Sequence, residues 1–159
     1  DGTIYLYFKN KEDILISVFR EKMGLFVSCI EEAMRDKETV EDKLLALIET
    51  HFKNLSDNYH WAIVTQLELR QTDKRLRGKI GEILKDLLIL LDTIIDEGKL
   101  QGVFKQEMDK RIARQMIFGT IDETVTTWVM KERKYDLVSL AAPIHHLLLN
   151  GLLNDSKTP

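Results

Sequence analysis

Apolar residues recur at helical spacing along almost the whole chain, and this periodicity limits the possible folds more than any other feature of the sequence. Only two prolines and eight glycines occur among 159 residues, so the chain has few of the turns that an all-β protein needs. With 44% hydrophobic residues, it is long enough to build one domain around a sizeable core. The sequence therefore predicts an all-α protein.

Residues with short polar side chains stand before the periodic segments, where their oxygens can accept hydrogen bonds from the free N–H groups of a first helical turn. The segment at 61–69 is apolar on too many sides for a surface helix, and we expect it to be buried. Pro143 should kink or restart the last helix. The predicted caps are Asn10 for a helix over 11–36, Thr39 for one ending near 56–58, Asp73 for one that stops at the glycines 98 and 102, Asp109 for 110–133, and Asp136 for the last helix.

Charge and cysteine content restrict the environment and the partners. A net charge of -3 argues against a chain that coats nucleic acid through bulk positive charge, although a local basic patch could still bind it. The single cysteine, Cys29, excludes an internal disulfide and is typical of a reducing compartment, so we expect a cytoplasmic protein. No uncharged apolar run approaches the roughly 20 residues of a membrane span, so no membrane partner is expected.

The sequence does not arrange a nucleophile beside a base, and it predicts no catalytic residue, metal or cofactor. Cys29 lies on an apolar stripe. His145 and His146 are adjacent, and adjacent helical residues point about 100° apart, so they cannot readily share one metal ion. An enzyme is therefore the weaker class, and a purely structural helical dimer would leave the first residues unexplained.

The stretch GTIYLYFKNKEDIL at 2–15 places tyrosines, a threonine and lysines beside the start of a long helix. These are the groups that bind phosphate oxygens and base edges. An ordinary short helix with tyrosines half-buried at a hinge is the alternative. The stretch resembles the end of the helix-turn-helix signature of the TetR family of bacterial repressors, where it forms the recognition helix and the start of the connecting helix.

This resemblance implies a DNA-binding role for individual positions, with Tyr5 and Lys11 as phosphate contacts and other side chains facing bases or sugars. Family members carry two further helices before this point. We therefore expect residues 1–10 to be a remnant of the DNA-binding domain, and operator DNA to be a partner of the intact protein only. The implied DNA-binding residues are Gly2, Thr3, Tyr5, Leu6, Tyr7 and Lys11.

A closer resemblance extends over nearly the whole chain. The segments AIVTQLELRQ at 62–71, RQMIFGTIDETVTTWVM at 114–130 and KYDL at 134–137 are similar to the FadR (YsiA) branch of TetR-like repressors in bacilli. It implies a homodimeric repressor of fatty-acid degradation genes that releases its operator when a long-chain acyl-CoA binds within the regulatory domain, residues 11–154. The tail at 155–159 is expected to be disordered. A TetR-like repressor that senses another hydrophobic molecule, a drug or a lipid, is the alternative.

An acyl chain needs a dry apolar tunnel, because each buried methylene contributes roughly 0.8 kcal/mol. The third and fourth helices carry more apolar surface than one helix–helix contact uses, although packing in an ordinary core is the simpler interpretation of any single residue. The residues predicted to contact the chain are Phe19, Met23, Trp61, Leu67, Leu84, Leu88, Leu91, Met116 and Phe118.

The phosphates of CoA require arginines or lysines near the opening of the tunnel. Basic residues cluster at 70–79 and again at 110–114. A solvated helix start would explain each lysine equally well. The residues predicted to bind the phosphates are Arg70, Arg77 and Arg114.

In TetR-like proteins the last two helices pair with their twofold mates, and such an interface needs a self-complementary apolar face. Asp122 lies beside this face and is expected to be a rim carboxylate paired across the dimer. The predicted interface residues are Ile121, Val125, Trp128, Val129, Leu140, Ile144, Leu147, Leu148 and Leu152.

Overall fold

The computed structural model describes residues 11–71 and 73–155, which form six α-helices. In chain order they are α1 Lys11–Met34, α2 Val40–Asp57, α3 Tyr59–Ile63, α4 Lys74–Leu100, α5 Lys110–Met130 and α6 Ala141–Leu152. A π-helical turn, Val64–Glu68, and a 3-10 turn, Leu69–Gln71, follow α3, and a second 3-10 turn, Val138–Leu140, precedes α6. These ranges contain no β-strand, so the all-α prediction is confirmed. None of the described helices is both long and apolar enough to cross a membrane.

Three of the predicted caps are confirmed. The Thr39 hydroxyl accepts a hydrogen bond from the Asp42 N–H at 3.1 Å at the start of α2. Asp73 accepts from the Leu76 N–H at 2.9 Å at the start of α4. Asp109 accepts from the N–H groups of Arg111 at 2.8 Å and Ile112 at 3.3 Å at the start of α5. Each acceptor satisfies donors that the first turn of a helix leaves free. Asn10, the predicted cap of α1, lies outside the described residues.

Two helices end earlier than predicted. α1 stops at Met34 rather than near residue 36. α5 stops at Met130 because Glu132 and Arg133 adopt left-handed backbone angles, with φ of 54° and 51°. A pair of non-glycine residues in this region is uncommon and cannot continue a right-handed helix.

The cap prediction for Asp136 is wrong for an α-helix. Its carboxylate accepts from the Val138 N–H at 3.1 Å, which starts only the 3-10 turn Val138–Leu140. α6 begins at Ala141, and Pro143 lies in its first turn. Proline is tolerated there because N–H groups in the first turn have no carbonyl partner in the helix. Pro143 therefore stands where the last helix restarts, as the sequence predicted.

The second helix, α2, is in contact with every other α-helix of the fold. Val40, Leu44, Ile48 and Phe52 are fully buried along it. Lys43 near its start forms an ion pair with Glu97 of α4, with 2.8 Å between Nζ and Oε1. α1 packs against α2 and α4, and α5 packs against α4, so these helices surround α2.

The segment at 61–69 differs from the single buried helix that was predicted. Its α-helical part ends at Ile63, and the chain widens into the π-turn before tightening into the 3-10 turn. Ala62, Gln66 and Leu69 are buried, whereas most of their neighbours are only half-buried. A π-turn inside a helix often marks a functional site.

The connection between α4 and α5 packs its one aromatic ring against a glycine. Phe104 is completely buried, and the N–H groups of Val103 and Phe104 both donate to the Gly98 carbonyl, at 2.9 and 3.0 Å. A Cβ atom on Gly98 would overlap the Phe104 ring. The C-terminal segment closes over this turn, because Asn154 N–H donates to the Val103 carbonyl at 2.9 Å and Lys105 N–H donates to the Leu152 carbonyl at 3.0 Å.

We predict that Gly98→Ala lowers the free energy of unfolding by about 1–3 kcal/mol, the usual effect of overpacking a closed site. Urea denaturation would measure it. The matched control is Gly81→Ala in the same helix, where an added Cβ meets no atom. That change should stabilise the fold by about 0.5–1 kcal/mol through helix propensity. Equal effects of the two substitutions would contradict the role given to Phe104.

Candidate ligand-binding site

A cavity of about 270 Å³ lies between α1, α2, α4, α5 and the turns that follow α3. Its surface is mostly apolar, which favours a hydrophobic ligand. The apolar lining residues are Phe19, Met23, Phe26, Leu55, Trp61, Leu69, Ile80, Leu84, Leu87 and Phe118. The polar lining residues are His51, Asn54, Thr65, Gln66, Arg70, Arg77 and Asp122.

Helical spacing explains which side chains reach the cavity. From α1, Phe19, Met23 and Phe26 follow one another at intervals of four and three residues, so they form one stripe. α4 presents Arg77, Ile80, Leu84 and Leu87 at the same kind of spacing. Each helix thus gives one face to the cavity.

Five of the residues predicted to contact an acyl chain line this cavity, namely Phe19, Met23, Trp61, Leu84 and Phe118. Their contact with such a chain stays a prediction. Residues outside that set also line it, among them Phe26, Leu69, Ile80 and Leu87. Phe26, Ile80 and Leu87 lie three or four positions from residues already selected, so an extension at helical spacing would have found them. Leu69 lies in the 3-10 turn beyond the π-turn, where helical spacing does not apply.

Four residues of the predicted set do not line the cavity, namely Leu67, Leu88, Leu91 and Met116. Leu88 follows Leu87 by one position, which turns it about 100° away from the cavity face of α4. Leu91 lies further along that helix and is buried in the core, whereas Leu67 packs half-buried against the core. Met116 is exposed because it precedes Phe118 by two positions, about 200° around α5.

An ion pair between Arg70 and Asp122 joins the 3-10 turn to α5 at the cavity wall. Both guanidinium nitrogens donate to the carboxylate, Nη1 to Oδ2 at 2.7 Å and Nη2 to Oδ1 at 2.5 Å. The Arg70 Nε also donates to the Thr65 carbonyl at 3.2 Å, which holds the side chain against its own segment. Two-pronged pairs of this kind are strong and geometrically specific.

The buried amide of Gln66 supports the same carboxylate from the π-turn. Its Nε2 donates to Asp122 Oδ1 at 3.0 Å and to the Thr126 hydroxyl at 2.9 Å. Burial alone would raise the pKa of Asp122, but the hydrogen bonds from Arg70 and Gln66 outweigh it and hold the pKa below the usual value. Asp122 is therefore ionised inside a largely apolar wall. The expectation that it pairs across a dimer is wrong, since its partner belongs to the same chain.

The arginines predicted to bind phosphates differ in position. Arg70 and Arg77 line the cavity and are exposed to solvent, so they mark its opening. No carboxylate in the described part of the chain pairs with the Arg77 guanidinium. Arg114 lies away from the cavity and donates to Asp92 of α4 at 2.7 Å, so the structure does not place it at this opening.

His51 is a buried titratable group on α2 to which the sequence analysis assigned no role. It packs edge-on against Phe26, with ring centroids 4.9 Å apart. Burial lowers the pKa of His51 to about 4, although the negative charge of Asp122 acts in the opposite direction. The imidazole is therefore neutral at physiological pH.

The predicted dimer face needs correction. Ile121, Val125, Trp128, Val129, Leu148 and Leu152 are buried within the chain itself, so they cannot also contact a partner, and their assignment to the interface is wrong. Their apolar character reflects the inner face of α5 and α6. Leu140 and Ile144 are half-buried, and Leu147 is exposed. The outer face of α5 instead carries exposed Ile112, Met116 and Met130, with Gly119 and Thr127 on the same stripe.

Five of the implied DNA-binding residues, Gly2, Thr3, Tyr5, Leu6 and Tyr7, lie outside the described residues. Lys11 is exposed in the first turn of α1. The same helix lines the cavity further along. One continuous helix therefore joins the cavity wall to the segment in which DNA contacts were predicted.

Comparison with known proteins gives consistent matches. The sequence family described as "YsiA-like protein, C-terminal region" matches residues 19–151. A "Fatty acid metabolism regulator protein" from Bacillus subtilis (strain 168) is 58% identical over 154 residues, which are 97% of this chain and 79% of that protein.

Solved structures give the same result. The transcriptional regulator FadR from Bacillus subtilis, in complex with stearoyl-CoA, superposes with a TM-score of 0.91 at 58% identity, covering 94% of this chain and 81% of that one. The fatty acid degradation regulator FadR from Bacillus halodurans superposes with a TM-score of 0.91 at 59% identity, covering 94% of this chain and 78% of that one.

The depressed pKa of His51 predicts how stability depends on pH. Between pH 6.5 and about 4, a histidine in the unfolded chain binds a proton that folded His51 does not, so the free energy of unfolding rises with pH across this window. The full shift corresponds to up to about 3 kcal/mol. Since the pKa of Asp122 lies below its usual 3.8, the stability that its ionisation contributes is lost only at lower pH. His51→Phe should flatten the slope in urea denaturation at graded pH.

Substitution of the exposed His146 by Gln is the control, and it should keep the slope of the native sequence. An unchanged slope in His51→Phe would show that other groups cause the loss of stability in acid.

Proposed function

Because this chain belongs to the YsiA-like branch of the TetR family, we propose that it is a transcriptional repressor of fatty-acid degradation genes and that a long-chain acyl-CoA is its effector. One observation supports this most strongly. An apolar cavity opens between two exposed arginines, and one of its walls is the helix that leads to the predicted DNA-binding segment. The Bacillus subtilis relative that binds stearoyl-CoA superposes over nearly the whole chain.

The cavity supports an acyl chain as the apolar part of the ligand. Its aromatic and aliphatic walls exclude water, and each methylene moved from water into such walls gains roughly 0.8 kcal/mol, about fourfold in affinity. Its narrow polar side is occupied by a satisfied network around Asp122, which a hydrocarbon chain does not need to disturb. Long chains are thus favoured over short ones by their length alone.

The opening supports an anionic head group. Arg77 offers an unpaired guanidinium beside the cavity, whereas the charge of Arg70 is already balanced by Asp122. We assign Arg77 as the first phosphate contact. Arg70 is assigned as a second contact, which it can make only when a phosphate competes with Asp122 for its guanidinium. Arg114 is not assigned to this role, because its guanidinium forms an ion pair with Asp92 away from the cavity.

Coupling to DNA follows from the position of α1. A ligand that fills the cavity touches Phe19, Met23 and Phe26, and any preference for one position of α1 is transmitted to its N-terminal end at Lys11. The effector binds the two positions of α1 with different affinities. It can shift the equilibrium away from the operator-bound form only by that difference in affinity.

We propose that the protein is a homodimer, as operator binding through two half-sites requires. The outer stripe of α5, with Ile112 and Met116, is the assigned interface, and Tyr135 and Leu140 flank a groove beside it. This stripe exposes large apolar side chains around Glu123, whereas six of the nine residues first predicted are buried in the core of the chain itself.

Two other functions compete. A repressor of another apolar effector would use the same cavity, and only ligand binding separates it from the proposal. An enzyme is disfavoured because the relatives are regulators and because burial lowers the pKa of His51, a histidine that lines the cavity, to about 4, which makes it a weak base.

We predict that Arg77→Ala weakens binding of a long-chain acyl-CoA roughly tenfold, the effect of one lost charge-assisted hydrogen bond. Titration calorimetry would measure it. Binding of the corresponding S-acyl pantetheine, which lacks the nucleotide phosphates, should stay unchanged. Lys85→Ala is the control, because Lys85 is exposed on the same helix but does not line the cavity.

Equal losses for both ligands would mean that Arg77 supports the cavity and does not bind phosphate. Failure of the native protein to bind any long-chain acyl-CoA, or failure of acyl-CoA to release the operator from the intact protein, would reject the proposed function in favour of another apolar effector.

We predict that Met116→Glu weakens the dimer roughly 100-fold, since like charges brought together at an interface cost several kcal/mol. Analytical ultracentrifugation over a concentration series would measure it. Ile89→Glu is the matched control, because Ile89 is equally exposed but lies on α4. Dissociation by both variants, or by neither, would contradict the assigned interface.

A further inference from the structure

Trp61 separates the apolar cavity from a groove on the protein surface. The groove is lined by Lys22, Asp57, Asn58, Tyr59, His60, Trp61, Val64 and Arg133. Among the described residues, Trp61 is the only one that lines both spaces. Trp61 therefore lies at the boundary between them.

The indole is held on its two sides by residues of α1. In the direction of the cavity it packs against the buried ring of Phe19, with centroids 5.7 Å apart and planes inclined at 42°. In the direction of the groove the ammonium of Lys22 lies 5.3 Å from the indole centroid, within the range of a cation–π contact. Phe19 and Lys22 are three positions apart on α1, so the helix fixes both contacts together.

The two spaces differ in what they would offer a hydrocarbon chain. The cavity walls are mostly aromatic and aliphatic, whereas the groove carries charged Lys22, Asp57 and Arg133. The Arg133 guanidinium covers the Tyr59 ring at 4.5 Å, so even the aromatic surface of the groove is shared with a cation. Each methylene placed in the cavity gains affinity, and a methylene for which the indole leaves no room gains none.

We propose that Trp61 is the end wall of the acyl-chain tunnel and sets the longest chain that the protein binds with increasing affinity. This inference rests on the proposed function, because it assumes that the cavity holds an acyl chain. The opening at Arg70 and Arg77 receives the head group, and the chain extends from there until its terminal methyl group meets the indole. The affinity for acyl-CoA then rises with each methylene up to a limiting length and levels off beyond it.

The test is a titration of the full chain with saturated acyl-CoAs of graded length. The native protein should gain about fourfold in affinity per methylene up to the limiting length. Trp61→Ala joins the cavity to the groove, so its limiting length should increase by several methylenes. Phe118→Ala is the matched control: it also removes an aromatic ring from the cavity wall but does not border the groove, so it should change affinity without moving the limiting length.

Trp61→Leu is a milder substitution in case Trp61→Ala does not fold, because a smaller apolar side chain still covers Phe19. Its limiting length should lie between those of the native protein and Trp61→Ala. A measurement on the native protein needs no truncation of the wall. Acyl-CoAs brominated at the terminal carbon should quench indole fluorescence most at the limiting length, and Trp61→Phe should abolish that maximum.

An identical limiting length in native protein, Trp61→Ala and Trp61→Leu would overturn the inference while leaving the proposed function in place. Absence of acyl-CoA binding by the native protein would overturn the proposed function and the inference with it.

Discussion

The burial of α2 is the constraint on which the rest of the structure depends. Every other α-helix contacts it, and its inward positions Leu44, Ile48 and Phe52 are closed off from solvent. α2 also gives His51, Asn54 and Leu55 to the cavity, so one side of the helix is core and the next is ligand wall. The helices around it can leave a space between them without collapsing because α2 already supplies them with a continuous apolar surface.

An ionised carboxylate in the wall of such a space needs compensation, and the chain supplies it from two separate elements. Asp122 on α5 is bound by Arg70 from the 3-10 turn and by Gln66 from the π-turn. A partly buried ion pair contributes little net stability, but removing one partner leaves the other charge uncompensated in an apolar wall, so the two are held together. The network thereby fixes the irregular segment at 64–71 against α5, and it keeps the opening of the cavity in a defined place.

Much of the fold can be predicted from local signals in a single sequence. Thr39, Asp73 and Asp109 are caps whose function depends on neighbours within three residues, and all three act as predicted. The prediction for Asp136 was wrong because its carboxylate starts only the 3-10 turn Val138–Leu140, and the α-helix begins at Ala141 with Pro143 in its first turn. The widening of the helix at Val64 has no local signal in the sequence, and the hydrogen bond from Gln66 of this turn joins it to Asp122, 56 positions away.

The site was less predictable than the fold because periodicity reports which residues are inward but not what they meet. Met116 and Phe118 are both apolar and close in sequence, yet one faces solvent and the other the cavity. The same limit misplaced the dimer face, since Ile121 and Val125 are as apolar as an interface requires and are already buried by their own chain. The pairing of Arg70 with Asp122 joins residues that are 52 positions apart, a distance over which sequence spacing carries no information.

The ion pair between Glu12 of α1 and Arg75 of α4, at 2.5 Å, joins the first turn of the long first helix to the first turn of α4. α1 is joined to α4 at its N-terminal turn by this exposed ion pair and is held further along, where Phe26 packs on α2. The stretch from Phe26 back to Lys11 is roughly 22 Å long, so a tilt of about 5° about Phe26 moves the N-terminal end of the helix by roughly 2 Å. Arg77, at the opening of the cavity, lies only two positions beyond Arg75. A molecule that moves this turn of α4 therefore acts next to the end of α1 that carries Lys11, and the ion pair joins the two.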